Sequence, residues 1–452
     1  MKIIIAGDGK VGAMLTSQLS AEGHDLTLVD SNPKVLEASI ERYDVMAIQG
    51  NCATMETLYQ AGVREANLLI AATSSDEVNL LCCMTAHSMN PNLHTIARVR
   101  NPEYADQVYR MRDVFGLSML VNPEKQAAIE IERLIRYPGF LKRDSFAKGR
   151  VEIVELKVDA SNKLCNIPLK NMSTVAKCRV LICAVLRGGE AVAPDGNFIL
   201  EEGDRIFVTA PTNNLSKMLE NLGITRRKAK RVMICGGSRV SYYLAQCLQK
   251  MGVEVQLIEK DHTVCVHLAE LLPNTMIIEG DASDQELLES EGIEKCDALV
   301  SLTGLDELNM VIAMYGNNCH VPQIITKIGR MKNNSLLNRL DIGSVISPKE
   351  LCCKTITRYV RAMEGHMGAA LTVHSIADGQ AEAMEFRVTD KTLHCNESLK
   401  NIKLRENVLI ASITHAGQIE IPNGDSCYTL GDTVIVVTSR GVVLHQLNDI
   451  FA

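Results

Sequence analysis

The chain has 452 residues, 46% of them hydrophobic and 22% charged, with a formal net charge of −7. That length holds about three or four ordinary domains of a folded protein, and the acidic balance argues against a nucleic-acid partner, which needs a clustered basic surface. No run approaches the roughly 18 continuous apolar residues of a membrane span, and Ile3-Ile4-Ile5 runs straight into a glycine turn, as a buried strand does and a signal peptide does not.

In chain order, Lys2–Ala6, Asp25–Asp30, Val45–Gln49, Leu68–Thr73 and Thr95–Arg98 read as short apolar strands separated by stretches of helical spacing. Near-continuous apolar strands alternating with helices predict a parallel sheet covered on both faces. Between the first strand and its helix stands Gly7-Asp8-Gly9-Lys10-Val11-Gly12. In that setting glycines permit a tight turn, close approach of a pyrophosphate and close helix packing, while the helix end offers free N–H groups to phosphate. Asp30 ends the second strand, where it can accept from a ribose diol and repel a 2′-phosphate, which favours NAD over NADP; the ribose of ATP or ADP suits it equally. Lys10 can reach a phosphate as a point charge or face solvent. Past the third strand comes Gly50-Asn51-Cys52-Ala53, past the fourth Thr73-Ser74 with Asp76-Glu77-x-Asn79, and Arg98 ends the fifth. All lie at strand carboxyl ends, where parallel sheets place their ligand crevice. For Asp76, and for Asp306 in the later repeat of this segment, the competing role is a helix N-cap.

Asn122-Pro123-Glu124 opens a helix, with a polar N-cap and proline at the first position, and Ala127, Ala128, Ile131, Leu134 and Ile135 give it one apolar stripe. Such a stripe meets a partner copy or caps its own domain. A β-rich module follows, marked by Leu181–Val185, Pro194-Asp195-Gly196, Gly203-Asp204 and Ile206–Val208. The basic run Thr225–Arg231 reads as a solvated linker.

The chain then says nearly the same thing again. Val232–Cys235 leads through Gly236-Gly237-Ser238-Arg239-Val240-Ser241 to Glu259, and the expected strands are Arg231–Cys235, Glu254–Glu259, Met276–Glu279, Ala298–Thr303 and Ile324–Lys327. Gly280-Asp281-Ala282 and Thr303-x-x-Asp306-Glu307-x-Asn309 repeat the later pieces, with Lys327 for Arg98. Serine replaces Gly9 and Gly12, and a side chain at the closest-approach position crowds a pyrophosphate. A weaker, altered or empty site follows, although the acid is kept as Glu259 and Arg239 can still hold a phosphate. Ser347-Pro348-Lys349 opens a second striped helix, and Leu409–Ile413, Pro422-Asn423-Gly424, Gly431-Asp432 and Val434–Val436 mark a second β-rich module. The expected division is 1–122 and 230–347 for the nucleotide-type domains, 123–149 and 348–369 for interdomain helices, and 150–222 and 370–452 for the β-rich domains.

Fifteen cysteines, an odd number with no C-x-x-C pair, fit reduced thiols better than a disulfide framework. His262-x-x-Cys265-x-His267 lacks a fourth ligand, so no metal site is expected.

Taken together, Gly7–Gly12 with Asp30, Gly50-Asn51, Thr73-Ser74 with Asp76-Glu77-x-Asn79, and Thr95–Arg98 make the chain resemble the TrkA family of potassium-uptake regulators, over essentially its whole length. The resemblance implies an α/β protein of two Rossmann-like parallel-sheet domains, each followed by a small β-rich RCK (or KTN) C-terminal domain. It further implies NAD(H) and ATP or ADP as ligands, a homo-oligomer (dimer or tetrameric ring), and a cytoplasmic place beneath a membrane-embedded potassium-translocating subunit. Carried over by position, Gly7, Asp8, Gly9, Lys10, Val11, Gly12, Asp30, Asn51, Cys52, Thr73, Ser74 and Arg98 line the first site. Gly236, Gly237, Ser238, Arg239, Val240, Glu259, Asp281 and Ala282 take the matching places in the second.

The rival class is an NAD-dependent oxidoreductase. It needs a group that polarises or protonates substrate beside the nicotinamide. No tyrosine has a lysine four residues later, no His–Asp constellation announces itself, and no sizeable substrate domain is left over. No catalytic residue is therefore expected.

Overall fold

The computed structural model describes residues 1–136, 141–146, 151–158, 163–222, 229–329, 340, 342–364, 370–377, 380–439, 442, 444 and 446–452. Its first sheet contains β1 (Lys2–Ala6), β2 (Asp25–Asp30), β3 (Met46–Gln49), β4 (Leu68–Ala71), β5 (His94–Arg98) and β6 (Met119–Val121), in the order β3-β2-β1-β4-β5-β6. Every pairing is parallel, with Ala6 opposite both Val29 and Ala71. The order reverses between β1 and β4, which opens a crevice at the strand carboxyl ends. Helices α1 (Lys10–Ala21), α2 (Pro33–Ile40), α3 (Met55–Gln60), α4 (Asp76–Met89), α5 (Pro102–Arg110) and α6 (Pro123–Arg136) join and follow the strands. Short polar side chains start most of them: Asn32, Thr54, Ser75, Asn101 and Asn122 each accept from a first-turn amide.

An antiparallel sheet comes next, β7 (Lys142–Phe146), β8 (Val151–Lys157), β9 (Leu181–Arg187), β10 (Glu190–Val192) and β11 (Arg205–Pro211), ordered β10-β9-β11-β8-β7. Two helices, α7 (Met172–Ala176) and α8 (Thr212–Leu222), accompany it.

The second half repeats the plan. Strands β12 (Arg231–Cys235), β13 (Glu254–Glu259), β14 (Met276–Glu279), β15 (Ala298–Ser301), β16 (Gln323–Lys327) and β17 (Ser344–Ile346) pair in parallel as β14-β13-β12-β15-β16-β17. Its helices are α9 (Arg239–Lys250), α10 (His262–Leu271), α11 (Gln285–Ser290), α12 (Asp306–Asn318) and α13 (Pro348–Glu364). The closing antiparallel sheet runs β18-β19-β22-β20-β21, from β18 (Thr372–Ile376), β19 (Ala381–Arg387), β20 (Val408–His415), β21 (Gln418–Glu420) and β22 (Thr433–Ser439). This is the α/β architecture the alternation predicted.

The stripe on α6 neither caps its own sheet nor stays free. Ala127, Ala128, Ile131, Leu134 and Ile135 are buried against Val232, Ile234, Val240, Tyr243, Leu244 and Leu248 of the second half. Reciprocally, Cys352, Cys353, Ile356 and Val360 of α13 are buried against Ile3, Ile5, Val11, Leu15, Leu19 and Leu68 of the first. Each half thus lends its long helix to the other. Gln323 Nε2 donates to the Leu134 carbonyl (2.8 Å), Thr357 Oγ1 to Gln18 Oε1 (3.2 Å) and Arg361 Nη2 to Glu22 Oε1 (2.5 Å) across this seam. The two antiparallel sheets also share a core, where Phe146, Ile153, Ala184 and Phe207 meet Ile376, Ala383, Ala411 and Ile435.

Three differences from the sequence expectation have simple causes. Strands β6 and β17 were not foreseen because each is only three residues long. Within the stretch expected to be interdomain helix through 149, the described helix covers Pro123–Arg136, and Lys142–Phe146 is a strand that pairs antiparallel with β8. Ser347 stands before α13, yet its buried hydroxyl makes no hydrogen bond, so it does not cap. Of the linker Thr225–Arg231, positions 225–228 lie outside the described residues, as do parts of both interdomain stretches. Among the described residues no helix is long and apolar enough to cross a membrane.

Candidate nucleotide site

Gly7 has φ +95°, and a Cβ there would lie 2.7 Å from the Thr73 nitrogen, so only glycine fits between β1 and the end of β4. At Gly12 a Cβ would fall 1.9 Å from the Gly7 carbonyl oxygen. That glycine lets α1 press against the turn. Around Gly9 the situation is opposite: a Cβ would meet nothing within 4 Å. Gly9 is also the residue before α1 and supplies no side-chain cap, leaving the first-turn amides facing the crevice.

Asp30 Oδ2 accepts from the Asp8 amide (2.8 Å) and Oδ1 from the Asn32 amide (2.9 Å), which pins the glycine turn to the end of β2. The Asp8 side chain turns inward, 1% exposed, and accepts from Ser39 Oγ at 2.6 Å. Burial pushes its carboxyl above the ordinary range, the Ser39 bond pulls it down, and the Asp30 charge adds to the rise. Asn51 is exposed and Oδ1 accepts locally from the Ala53 amide at 3.0 Å. Cys52 is buried, and its thiol is held below the usual range chiefly by a hydrogen bond from Cys82.

Thr73 donates through N (2.8 Å) and Oγ1 (2.7 Å) to Asn79 Oδ1, while Asn79 Nδ2 donates to the Arg98 carbonyl (2.9 Å). Arg98 Nη2 donates to the Thr73 carbonyl at 2.6 Å, and Arg100 donates to the carbonyl of Ser74. Ser75, not Asp76, caps α4, and Asp76 accepts from the Arg100 (2.8 Å) and Asn101 (2.7 Å) amides. Asp306 likewise accepts from the Gly329 amide at 2.9 Å instead of capping α12. These side chains brace the strand ends that wall the crevice.

In the second half Gly236 has φ +105°, like Gly7. Glu259 Oε2 accepts from the Gly237 amide (2.5 Å), and Oε1 accepts from Lys260 (2.8 Å) and Asp261 (2.9 Å). Ser238 and Ser241 form a reciprocal capping box at the start of α9. Asp281 accepts from Ser283, which holds its carboxyl below the usual range, and Ala282 is buried. His262 pairs with Glu279 at 2.8 Å, while Cys265 Sγ bonds the Glu259 carbonyl.

Between the two glycine turns lies a cavity of about 400 Å³. Among the described residues, Lys10, Arg98, Arg239, Lys327 and Lys349 line it, against Glu124 and Asp306 as acids. Helices α1, α6, α9 and α13 all begin on its wall, at Lys10, Pro123, Arg239 and Pro348, and add the positive ends of their dipoles. Burial lowers Arg98 and Lys327 from their usual ranges and pushes Glu124 up, although Arg100, Arg98 and Arg239 draw it back. An electropositive, partly dehydrated cleft is built for anions. Sequence reasoning missed Glu124 and Lys349 as wall residues; their one signal was matched place after Pro123 and Pro348 with opposite charge.

The fold is that of RCK-domain proteins. The chain is similar to the solved GsuK RCK domain with a TM-score of 0.63 at 16% identity, covering 97% of this chain and 92% of that one. For the GsuK channel bound to NAD the TM-score is 0.62 at 16% identity, over 97% of this chain and 76% of the other. The TrkA-N domain model matches residues 3–123 and 232–348, and the TrkA-C domain model residues 153–223. The Trk system potassium uptake protein TrkA of Haemophilus influenzae is 30% identical over 466 residues, spanning 100% of this chain and 98% of that protein. The Archaeoglobus fulgidus homolog is 30% identical over 453 residues and 100% of both chains. The chain belongs to the TrkA family.

Proposed function

We propose that this protein is the cytoplasmic regulatory subunit of a Trk-type potassium uptake system, peripheral on the membrane through a potassium-translocating partner that it gates. In this reading the domains at 1–122 and 230–347 sense nucleotide, and those at 150–222 and 370–452 complete each RCK unit. NAD(H), or ATP and ADP, binds at the first glycine turn. The amides of Gly9–Gly12 with Lys10 and Arg98 take the phosphates, Asp30 accepts from the ribose, and Gly7, Asp8, Asn51, Cys52, Thr73 and Ser74 form the walls.

The observation that carries the reading is the cation-lined cavity between the halves. A phosphate entering it neutralises charges contributed by both glycine turns and both exchanged helices, so its binding energy depends on how the halves are spaced. A ligand shifts a conformational equilibrium by its differential affinity, and couplings of this kind amount to about 1–3 kcal/mol. Matched apolar exposures, Leu81 (51%) and Met84 (46%) on α4 with Val311 (57%) and Met314 (50%) on α12, support assembly into a dimer or ring.

Calorimetric titration with NADH, ADP and ATP, beside an Asp30→Ala variant, tests the proposal. Saturable heats weakened by the substitution, without consumption of NADH, are expected. No binding of any of the three sinks it; steady NADH oxidation by a carbonyl substrate favours the oxidoreductase instead.

A further inference from the structure

The two glycine turns are alike in backbone and opposite in chemistry at one point, the first turn of the helix that follows. In the first half the residue before the helix is Gly9, open space surrounds the place of its missing Cβ, and Gly12 three residues on has no side chain either. The amides of Lys10, Val11 and Gly12 therefore face the crevice with no protein side chain in front of them.

In the second half both positions carry serine. Ser238 Oγ accepts from the Ser241 amide (3.3 Å), Ser241 Oγ lies 3.2 Å from the Ser238 amide that donates to it, and the two hydroxyl oxygens are 2.9 Å apart. Ser241 Oγ also donates to the Gly236 carbonyl at 2.5 Å. Its Cβ stands where, in the first half, a Cβ would strike the Gly7 carbonyl. Of the three first-turn amides that a pyrophosphate would use, that of Ser241 is thus already satisfied from within, and the amide of the cap residue Ser238 is taken as well.

The acid has changed in the same sense. Asp30 takes two backbone amides, whereas Glu259, one methylene longer, curls back over its turn and takes three, from Gly237, Lys260 and Asp261. A Cβ at Gly237 would lie 2.9 Å from Glu259 Cγ, so that side chain lies flat against the turn. The ribose acceptor of the second copy and the Ser241 amide among its phosphate donors are both committed to the protein itself.

From these contacts we infer that the chain takes one nucleotide diphosphate, at the first glycine turn, and that the second turn is an internally capped structural element that binds none. The second half then contributes a mainly basic wall to the shared cavity, with Arg239, Lys327 and Lys349 facing the ligand of the first. This rests on the nucleotide reading above and sharpens it: a ring of such chains carries half as many nucleotides as glycine turns.

Stoichiometry decides it. Full-length protein is titrated calorimetrically with NADH and, separately, with ADP, alongside Gly9→Asp and Glu259→Gln. The first substitution places a carboxylate in open space where a phosphate would sit; the second removes the charge of the second copy's ribose acceptor while its amide oxygen still accepts from the turn. Circular dichroism melts confirm that each variant is folded. One equivalent per chain is expected, lost in Gly9→Asp and unchanged within twofold in affinity in Glu259→Gln. Two equivalents in the parent protein, or one equivalent that Glu259→Gln abolishes, overturns the asymmetry while leaving nucleotide binding intact. Absence of all binding overturns the nucleotide reading and this one with it.

Discussion

The phenol oxygen of Tyr243 stands 3.0 Å from Nδ2 of Asn122, which donates to it, and donates in turn to the Arg100 carbonyl at 3.3 Å. Tyr243 lies on α9, behind the second glycine turn, while Asn122 caps α6 and Arg100 follows β5 on the amide that Asp76 holds. One hydroxyl thereby ties the strand ends of the first crevice to the first helix of the other half.

Tyr243→Phe removes that hydroxyl and leaves the buried Asn122 donor without it. Stranding a buried polar group costs about 1–3 kcal/mol. A melting temperature lower by a few degrees is expected, and the effect of NADH on it should shrink relative to the parent. An unchanged ligand-induced shift would show that the bond is structural only.

Two glycines in one turn should respond in opposite ways. Gly12→Ala forces a Cβ onto the Gly7 carbonyl and should unseat α1, with loss of folded yield or a drop of several kcal/mol, at the upper end for single substitutions. Gly9→Ala meets nothing, so its melt should lie within about 1 kcal/mol of the parent while NADH affinity falls. Equal stability losses in the two would contradict the packing described.

Because α6 is packed on the other half, Ile131→Ala should damage a domain to which it does not belong in sequence. Ile131 is fully buried against β12 and α9, and large-to-small changes of this kind cost about 2–5 kcal/mol. Hydrogen exchange should speed up chiefly in residues 231–259. Acceleration confined to residues 2–30 would place α6 elsewhere.

Arg187 grips the buried Asp204 with two bonds, Nε to Oδ1 at 2.8 Å and Nη2 to Oδ2 at 2.7 Å. Burial pushes the Asp204 carboxyl up, but the Arg187 bonds and charge and the Glu201 amide outweigh it, so the pKa falls below the ordinary 3.8. A carboxyl depressed in the folded state contributes stability above its unfolded pKa and loses it as the pH falls through the folded value. Arg187→Ala should therefore melt below the parent at about pH 7, and the gap should close below about pH 3.8. A gap constant across that window would mean that packing, not charge, carries the pair.

The doubled strand-helix alternation made the paired parallel sheets readable, since near-continuous apolar strands such as Ile3–Ile5 and Val232–Ile234 sit buried as their composition demands. The glycine turn was readable for the same local reason: Gly7 and Gly12 answer to contacts within one βαβ unit. What escaped was whatever depends on a partner far along the chain. An apolar stripe such as Ala127–Ile135 states that a helix is buried, not against what, so the exchange of α6 and α13 left no mark that periodicity could detect. Caps misled on a smaller scale, because Ser75 and Asp76 are equally good cap residues and only the pull of the Arg100 and Asn101 amides decides between them.

The exchanged helices have a historical consequence. Two identical chains embracing in this manner could alter either glycine turn only by altering both at once, since one gene would encode the pair. Joining them end to end frees each copy to drift alone while the embrace keeps them at fixed range. The serines at 238 and 241, where the first copy has Gly9 and Gly12, are a difference of the kind that such freedom permits.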